Sequence, residues 1–150
     1  MAAVTAVTRD DPTPPCPVRR LGVFGPTRYS CSFEMARSAL VPLIGALDAE
    51  LRPLVTRYLL SGTTVLTHLG YTADVLEYRF GVNGGSAVLT DGAYYWRRDA
   101  AEYVRIYGIG LDPEAISHMQ ELDWLAPPLD DGTVTAVDSF LKRELSLNRY

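Results

Sequence analysis

The run Gly84-Gly85-Ser86-Ala87-Val88-Leu89-Thr90-Asp91-Gly92-Ala93-Tyr94-Tyr95-Trp96-Arg97-Arg98-Asp99-Ala100-Ala101-Glu102-Tyr103-Val104-Arg105-Ile106-Tyr107-Gly108 decides the fold. It alone carries turn chemistry, strand pattern, helix start and helix stop without a break. Ser86–Thr90 and Ala93–Arg97 are rich in β-branched and aromatic residues and flank Asp91-Gly92, a pair that tolerates the positive φ of a two-residue hairpin loop. That loop sets Thr90 against Ala93, Leu89 against Tyr94, Val88 against Tyr95 and Ala87 against Trp96. Strand side chains alternate between faces. Ala87, Leu89, Tyr94 and Trp96 then form the core face; Ser86, Val88, Thr90, Tyr95 and Arg97 form the other.

Asp99 follows the hairpin as a candidate N-cap, with Glu102 three residues on in a variant of the capping box. Ala100, Tyr103, Val104 and Tyr107 fall on one helical stripe, and Gly108 stands where a left-handed residue would stop the helix. The unit therefore reads strand, turn, strand, helix.

Outward from this unit, the chain has 150 residues, enough to bury a core without staples. The apolar fraction of 47% and the charged fraction of 21% are those of a globular protein. Residues 1–34 hold five of the ten prolines and no sustained period, so they read as a Pro-rich tail or an over-called start, with Met35 an alternative initiator. Residues 35–150 read as one domain.

From Leu40 the residues Leu43, Ile44, Leu47, Leu51, Leu54, Val55 and Tyr58 keep helical spacing, with Pro53 predicting a break near Leu51–Pro53. Ser61-Gly62 ends that helix, and Thr63–Leu69 reads as a third strand. Tyr71–Phe80 fits either a short helix or an irregular edge, and Gly81–Gly85 reads as a turn. Asp112-Pro113-Glu114 starts a helix to about Leu122. Asp131-Gly132-Thr133 starts the last helix, with Val134, Val137, Leu141 and Leu145 in a stripe. The fold class is α+β: a single domain in which four to five helices pack a small antiparallel sheet built on the Asp-Gly hairpin.

Net charge is −4, and residues 35–150 hold ten basic against fifteen acidic side chains. Such a domain gives nucleic acid no electrostatic footprint. Residues 1–20 lack the apolar core of a signal peptide, and no apolar run reaches membrane-spanning length, so the expected compartment is the cytoplasm. Cys16 and Cys31 have no close His, and His68 and His118 stand fifty residues apart without metal-ligand spacing, so no metal or cofactor is expected. Gly85-Ser86-Ala87 is not a nucleophile elbow, and the glycines before it do not form a phosphate loop. Asp91, Asp99 and Glu102 are read as turn and cap residues, which leaves no catalytic set.

Two placements remain open. Tyr95, Arg97 and the adjacent Arg98 carry residue types that make interface hot spots, on a face either free for a partner or covered by the first helix. Tyr71, Tyr94, Trp96, Tyr103 and Tyr107, with Asp99 or His68 as polar member, could instead line a small-ligand or enzyme pocket between sheet and helices. A subunit of a larger complex is a third possibility.

The motif Gly84-Gly85-Ser86 through Thr90-Asp91-Gly92, the aromatic-Trp pair Tyr95-Trp96, and the Asp99-started helix ending in Tyr107 resemble small bacterial proteins similar to immunity proteins of polymorphic toxin systems. The likeness covers about residues 55–120. It implies a cytoplasmic inhibitor that masks a toxin, encoded nearby, by protein contact without catalysis or cofactor. An acidic domain would suit a basic nuclease as that partner.

Overall fold

A computed structural model describes residues 18–26 and 35–146. The hairpin strands β5 (Val88–Thr90) and β6 (Tyr94–Arg97) form the middle of a four-stranded sheet in the order β1-β6-β5-β2. Strand β2 (Thr63–Leu66), three residues shorter than the Thr63–Leu69 run expected, pairs antiparallel with β5. Strand β1 (Arg19–Arg20) runs parallel to β6, so the sheet is mixed. Strands β3 (Tyr71–Ala73) and β4 (Gly81–Asn83) form a separate antiparallel ribbon.

Five helices are present among the described residues: α1 (Arg37–Leu40), continued by a 3₁₀ turn Val41–Leu43; α2 (Arg52–Leu60); α3 (Ala100–Tyr107); α4 (Pro113–Glu121); and α5 (Asp131–Ser146). The described residues form one α+β domain. Its sheet lies between two apolar layers. Leu89, Tyr94 and Trp96 face α2, α3 and α4 in the larger core, which includes Val55, Tyr58, Tyr103, Val104 and Met119. Val88 and Tyr95 face α5, through Val137, Leu141 and Leu145, in the smaller one.

The hairpin pairs Thr90 with Tyr95, Leu89 with Trp96 and Val88 with Arg97, two residues away from the sequence expectation. A two-residue shift keeps every side chain on its expected face, whereas a one-residue slip would have exchanged them. The cause is the Asp91 side chain, whose Oδ1 accepts the amides of Ala93 at 2.8 Å and Tyr94 at 2.7 Å. Gly92, at φ 94°, makes the bend.

Residues 18–26 are not a tail. The Arg19 amide donates to Ala93 O and the Leu21 amide to Tyr95 O, while Val18, Leu21 and Phe24 are buried. Short length and flanking prolines hid a two-residue edge strand. Residues 1–17, 27–34 and 147–150, with both cysteines, lie outside the described residues.

The helix expected from Leu40 to Leu51 is also absent. Pro42 sits in the first turn of the 3₁₀ segment, and Gly45, at φ 75°, turns the chain back. The amides of Gly45 and Leu47 then donate to Tyr107 O and Gly108 O, satisfying carbonyls that the end of α3 leaves free. Gly108 does end α3 in the left-handed conformation, at φ 61°. Residues 81–83, expected in a turn, are strand β4, and residues 74–80 between β3 and β4 are a loop.

Phe24→Ala should destabilise the protein by about 3–5 kcal/mol in urea denaturation, as a fully buried aromatic ring does when removed. A loss below about 1 kcal/mol would mean residues 18–26 are dispensable.

Candidate functional site

Three buried carboxyl groups organise the polar interior. Asp91, with no exposed side-chain surface, takes the two turn amides on Oδ1, while Oδ2 accepts the Tyr58 hydroxyl and meets His118 Nε2 at 3.0 Å. Hairpin, α2 and α4 therefore meet at one carboxyl group. Burial first, then the bond to Asp91, push the Tyr58 hydroxyl far above the ordinary tyrosine range, so it stays a donor. The His118 ring leans on Tyr94, centroids 5.3 Å apart.

Asp99 is the second. Its side chain makes no cap hydrogen bond, because Arg97 claims both oxygens, at 3.0 and 2.8 Å, and the Thr72 hydroxyl donates at 2.9 Å. Arg97 and Asp99 are 3% and 1% exposed. A buried pair of this kind is costly to break, since removing one partner leaves an uncompensated charge.

The partner surface expected at Tyr95, Arg97 and Arg98 is thus overturned at its two main residues. Tyr95 is buried beneath α5, its hydroxyl donating to Pro26 O at 3.0 Å and its ring lying where a Cβ on Gly25 would stand. The cover comes from α5 and from residues 18–26, not from the first helix. Arg98, half-buried, donates to Thr64 Oγ1 at 2.9 Å.

Asp74 is the third. It accepts the amides of Leu76 at 2.7 Å and Arg79 at 2.8 Å and the Tyr107 hydroxyl. Burial raises its pKa, but the hydrogen bonds from Tyr107 and from the loop amides outweigh that and hold it below the usual carboxylate range. The Tyr103 hydroxyl accepts the Val75 amide at 2.9 Å, and that of Tyr107 accepts the Glu77 amide at 3.2 Å. Burial pushes both tyrosines up to about 12.

The aromatic layer proposed as a pocket is therefore filled. Trp96 is fully buried, Nε1 donating to Leu59 O at 3.1 Å, with the indole against the Gly62 backbone. Tyr103 and Tyr107 pack and hold the 74–80 loop; Tyr94 and Asp99 are buried elsewhere; Tyr71 is 67% exposed on the ribbon. His68 lies half-buried after β2.

Sequence reasoning missed the concavities among the described residues, of which two bear on function. A polar one of about 340 Å³ is lined by Arg19, Ala93, Tyr94, Glu114, Ser117, His118 and Glu121. Nothing in the sequence joins Asp91 to His118, twenty-seven residues away. The other is an open, mainly apolar groove of about 550 Å³ lined by Arg52, Pro53, Thr56, Arg57, Leu60, Ser61, Arg105 and Leu125. A signal for it does exist: Pro53, Thr56, Arg57 and Leu60 share the side of α2 away from the Val55, Tyr58 and Leu59 stripe.

No family model, curated protein or solved structure matches this chain. Among the described residues no helix is long and apolar enough to cross a membrane.

Arg97→Ala should cost about 3–5 kcal/mol in urea denaturation, the opposite of a surface substitution; a loss below about 1 kcal/mol would mean Arg97 is not committed to the fold. Asp74→Asn tests the acid limb. Because the folded pKa of Asp74 lies below its unfolded value of about 3.9, its contribution is complete above about pH 5 and is lost as pH falls through the folded value. The gap between wild type and Asp74→Asn, about 2 kcal/mol at pH 7, should narrow from pH 5 towards pH 2. A constant gap would contradict the assignment.

Proposed function

We propose that this chain is a small cytoplasmic protein-binding module acting by direct contact, an inhibitor of the immunity-protein kind whose partner is a toxin. The groove on α2 supports this reading best. Leu60 is 61% and Leu125 52% exposed, both lining one mainly apolar depression, and clustered exposed apolar residues mark interaction sites.

The presentation of Leu125 is costly, which strengthens the reading. Asp123 and Trp124 precede it in left-handed backbone, at φ 57° and 61°. Asp tolerates that region; Trp does not, and such residues cost on the order of 1–3 kcal/mol. Arg57 holds the strained turn by donating to Asp123 O at 3.1 Å and Trp124 O at 3.2 Å. Net charge adds long-range attraction for a basic partner such as a nuclease.

A second reading rests on His118, which is fixed by a buried carboxyl group at the edge of a polar pocket and could take a proton from a small bound ligand. A metabolite that raises the melting temperature of wild type but not of His118→Ala would favour it.

Calorimetric titration of the full chain against the inactivated product of the neighbouring gene tests the first reading. Sub-micromolar binding is expected, weakened at least about 100-fold by Leu60→Glu with Leu125→Glu, since losing two apolar anchors removes upwards of about 3 kcal/mol. The melting temperature should move little, because both side chains already face water. Full binding by the double variant, or no heat at tens of micromolar, overturns the reading.

A further inference from the structure

The groove has a charge pattern as well as an apolar floor, and the partner chemistry drawn from it rests on the protein-binding reading above. Three arginines line it and no acid does. Glu102 answers Arg105 at 2.5 Å, whereas Arg52 and Arg57 make no ion pair among the described residues. Arg57 spends two donors on the carbonyls of the strained turn, and the residue remains exposed. In a chain of net charge −4 this is a local reversal of sign.

Two donors in the groove are also unspent. Arg52 lies across Gly108, where any Cβ would collide with the guanidinium, and its buried Nε has no partner. Thr56, one turn further along α2, is 8% exposed and its hydroxyl is likewise without a partner. A buried donor left unmatched costs about 1–3 kcal/mol. An acceptor arriving with a ligand would remove that cost, and a carboxylate brings acceptor oxygens without competing donors.

Pro53, Leu60 and Leu125 ask for aliphatic side chains. The lining contains no aromatic ring, so it offers no stacking platform for nucleic-acid bases. Its open trough suits a segment lying across it better than a small amphiphile, which pockets normally enclose on most sides. The face of α2 from Arg52 to Leu60 spans about 12 Å, two helical turns.

We infer that the groove receives a short acidic amphipathic helix of the partner, with apolar side chains on Pro53, Leu60 and Leu125 and an Asp or Glu reaching Arg52 and Thr56. The partner's net charge governs encounter; this segment governs docking.

Panning a random peptide library displayed on phage against the full chain tests the inference. Enriched peptides should carry apolar residues three or four apart with Asp or Glu within one turn. A synthetic copy, followed by fluorescence anisotropy, should lose at least about tenfold affinity to Arg52→Gln and to Arg57→Gln, and more to Leu60→Glu, in variants whose circular dichroism matches wild type. The exposed Arg57 keeps the test open if Arg52→Gln fails to fold. Peptides that bind the groove, judged by loss in Leu60→Glu, yet are neutral or basic and indifferent to both arginines overturn the acidic segment and leave the protein-binding reading standing. Failure to enrich any peptide, or binding that survives Leu60→Glu, overturns both. A single-stranded oligonucleotide that binds more tightly than every peptide overturns the inference as well.

Discussion

Asp91 is the point at which the fold closes. Its carboxyl group bends the hairpin through two turn amides, accepts the Tyr58 hydroxyl from α2 and meets His118 from α4. None of these elements is stable alone: a two-stranded hairpin is marginal in water, and helices of nine residues fall below the length that holds without tertiary support. Hydrogen bonds to a charged acceptor contribute on the order of 1.5–3 kcal/mol each, and an unmatched buried carboxylate would cost more. The same atoms thus set the hairpin register and fix where two helices sit against it.

The second face of the sheet follows from this register. With Val88 opposite Arg97 and Thr90 opposite Tyr95, the side chains away from the Trp96 core form a compact patch of Val88 and Tyr95. That patch is too apolar to face water, and α5 supplies Val137, Leu141 and Leu145 in the spacing it needs. Arg97, at the margin of the same face, enters the interior with its own counter-charge two residues along the chain. A surface role for it was never compatible with a fifth helix whose stripe required a sheet to cover.

Local pattern made the elements legible and left the long-range pairings dark. The strand-turn-strand-helix unit, the Gly108 stop, strand β2 and helices α4 and α5 are where period, cap and turn chemistry place them, because each is dictated within about four residues. Residues 18–26 defeated the same reasoning, since a two-residue strand has no period and gains its order from β6. Asp99 looked like a cap from its spacing to Glu102, but Arg97 is a stronger claimant than backbone amides once both are buried. The hydroxyls of Tyr103 and Tyr107, read as apolar members of a stripe, turned out to hold the 74–80 loop, a contact that no spacing along the chain announces.

Two of the three unmatched buried side-chain donors among the described residues belong to the groove lining, Arg52 Nε and Thr56 Oγ1; the third is Arg97 Nη1, in the pair with Asp99. Elsewhere the buried polar groups are largely matched: the carboxyl groups of Asp74, Asp91 and Asp99 each take part in three or more hydrogen bonds, and even the Trp96 N–H reaches a carbonyl. On the outer side of α2, within a few residues, stand a strained Asp-Trp turn, two unmatched buried donors and two exposed leucines. Each is tolerable singly. Together they are the kind of local inconsistency that a sequence otherwise consistent at every level retains at a functional surface. A fold relieved of that demand could replace the exposed Leu60 and Leu125 by polar residues and Thr56 by alanine with no loss of core packing. Their coincidence around one trough is therefore the strongest physical reason to look there, and not to the buried hairpin, for what this protein binds.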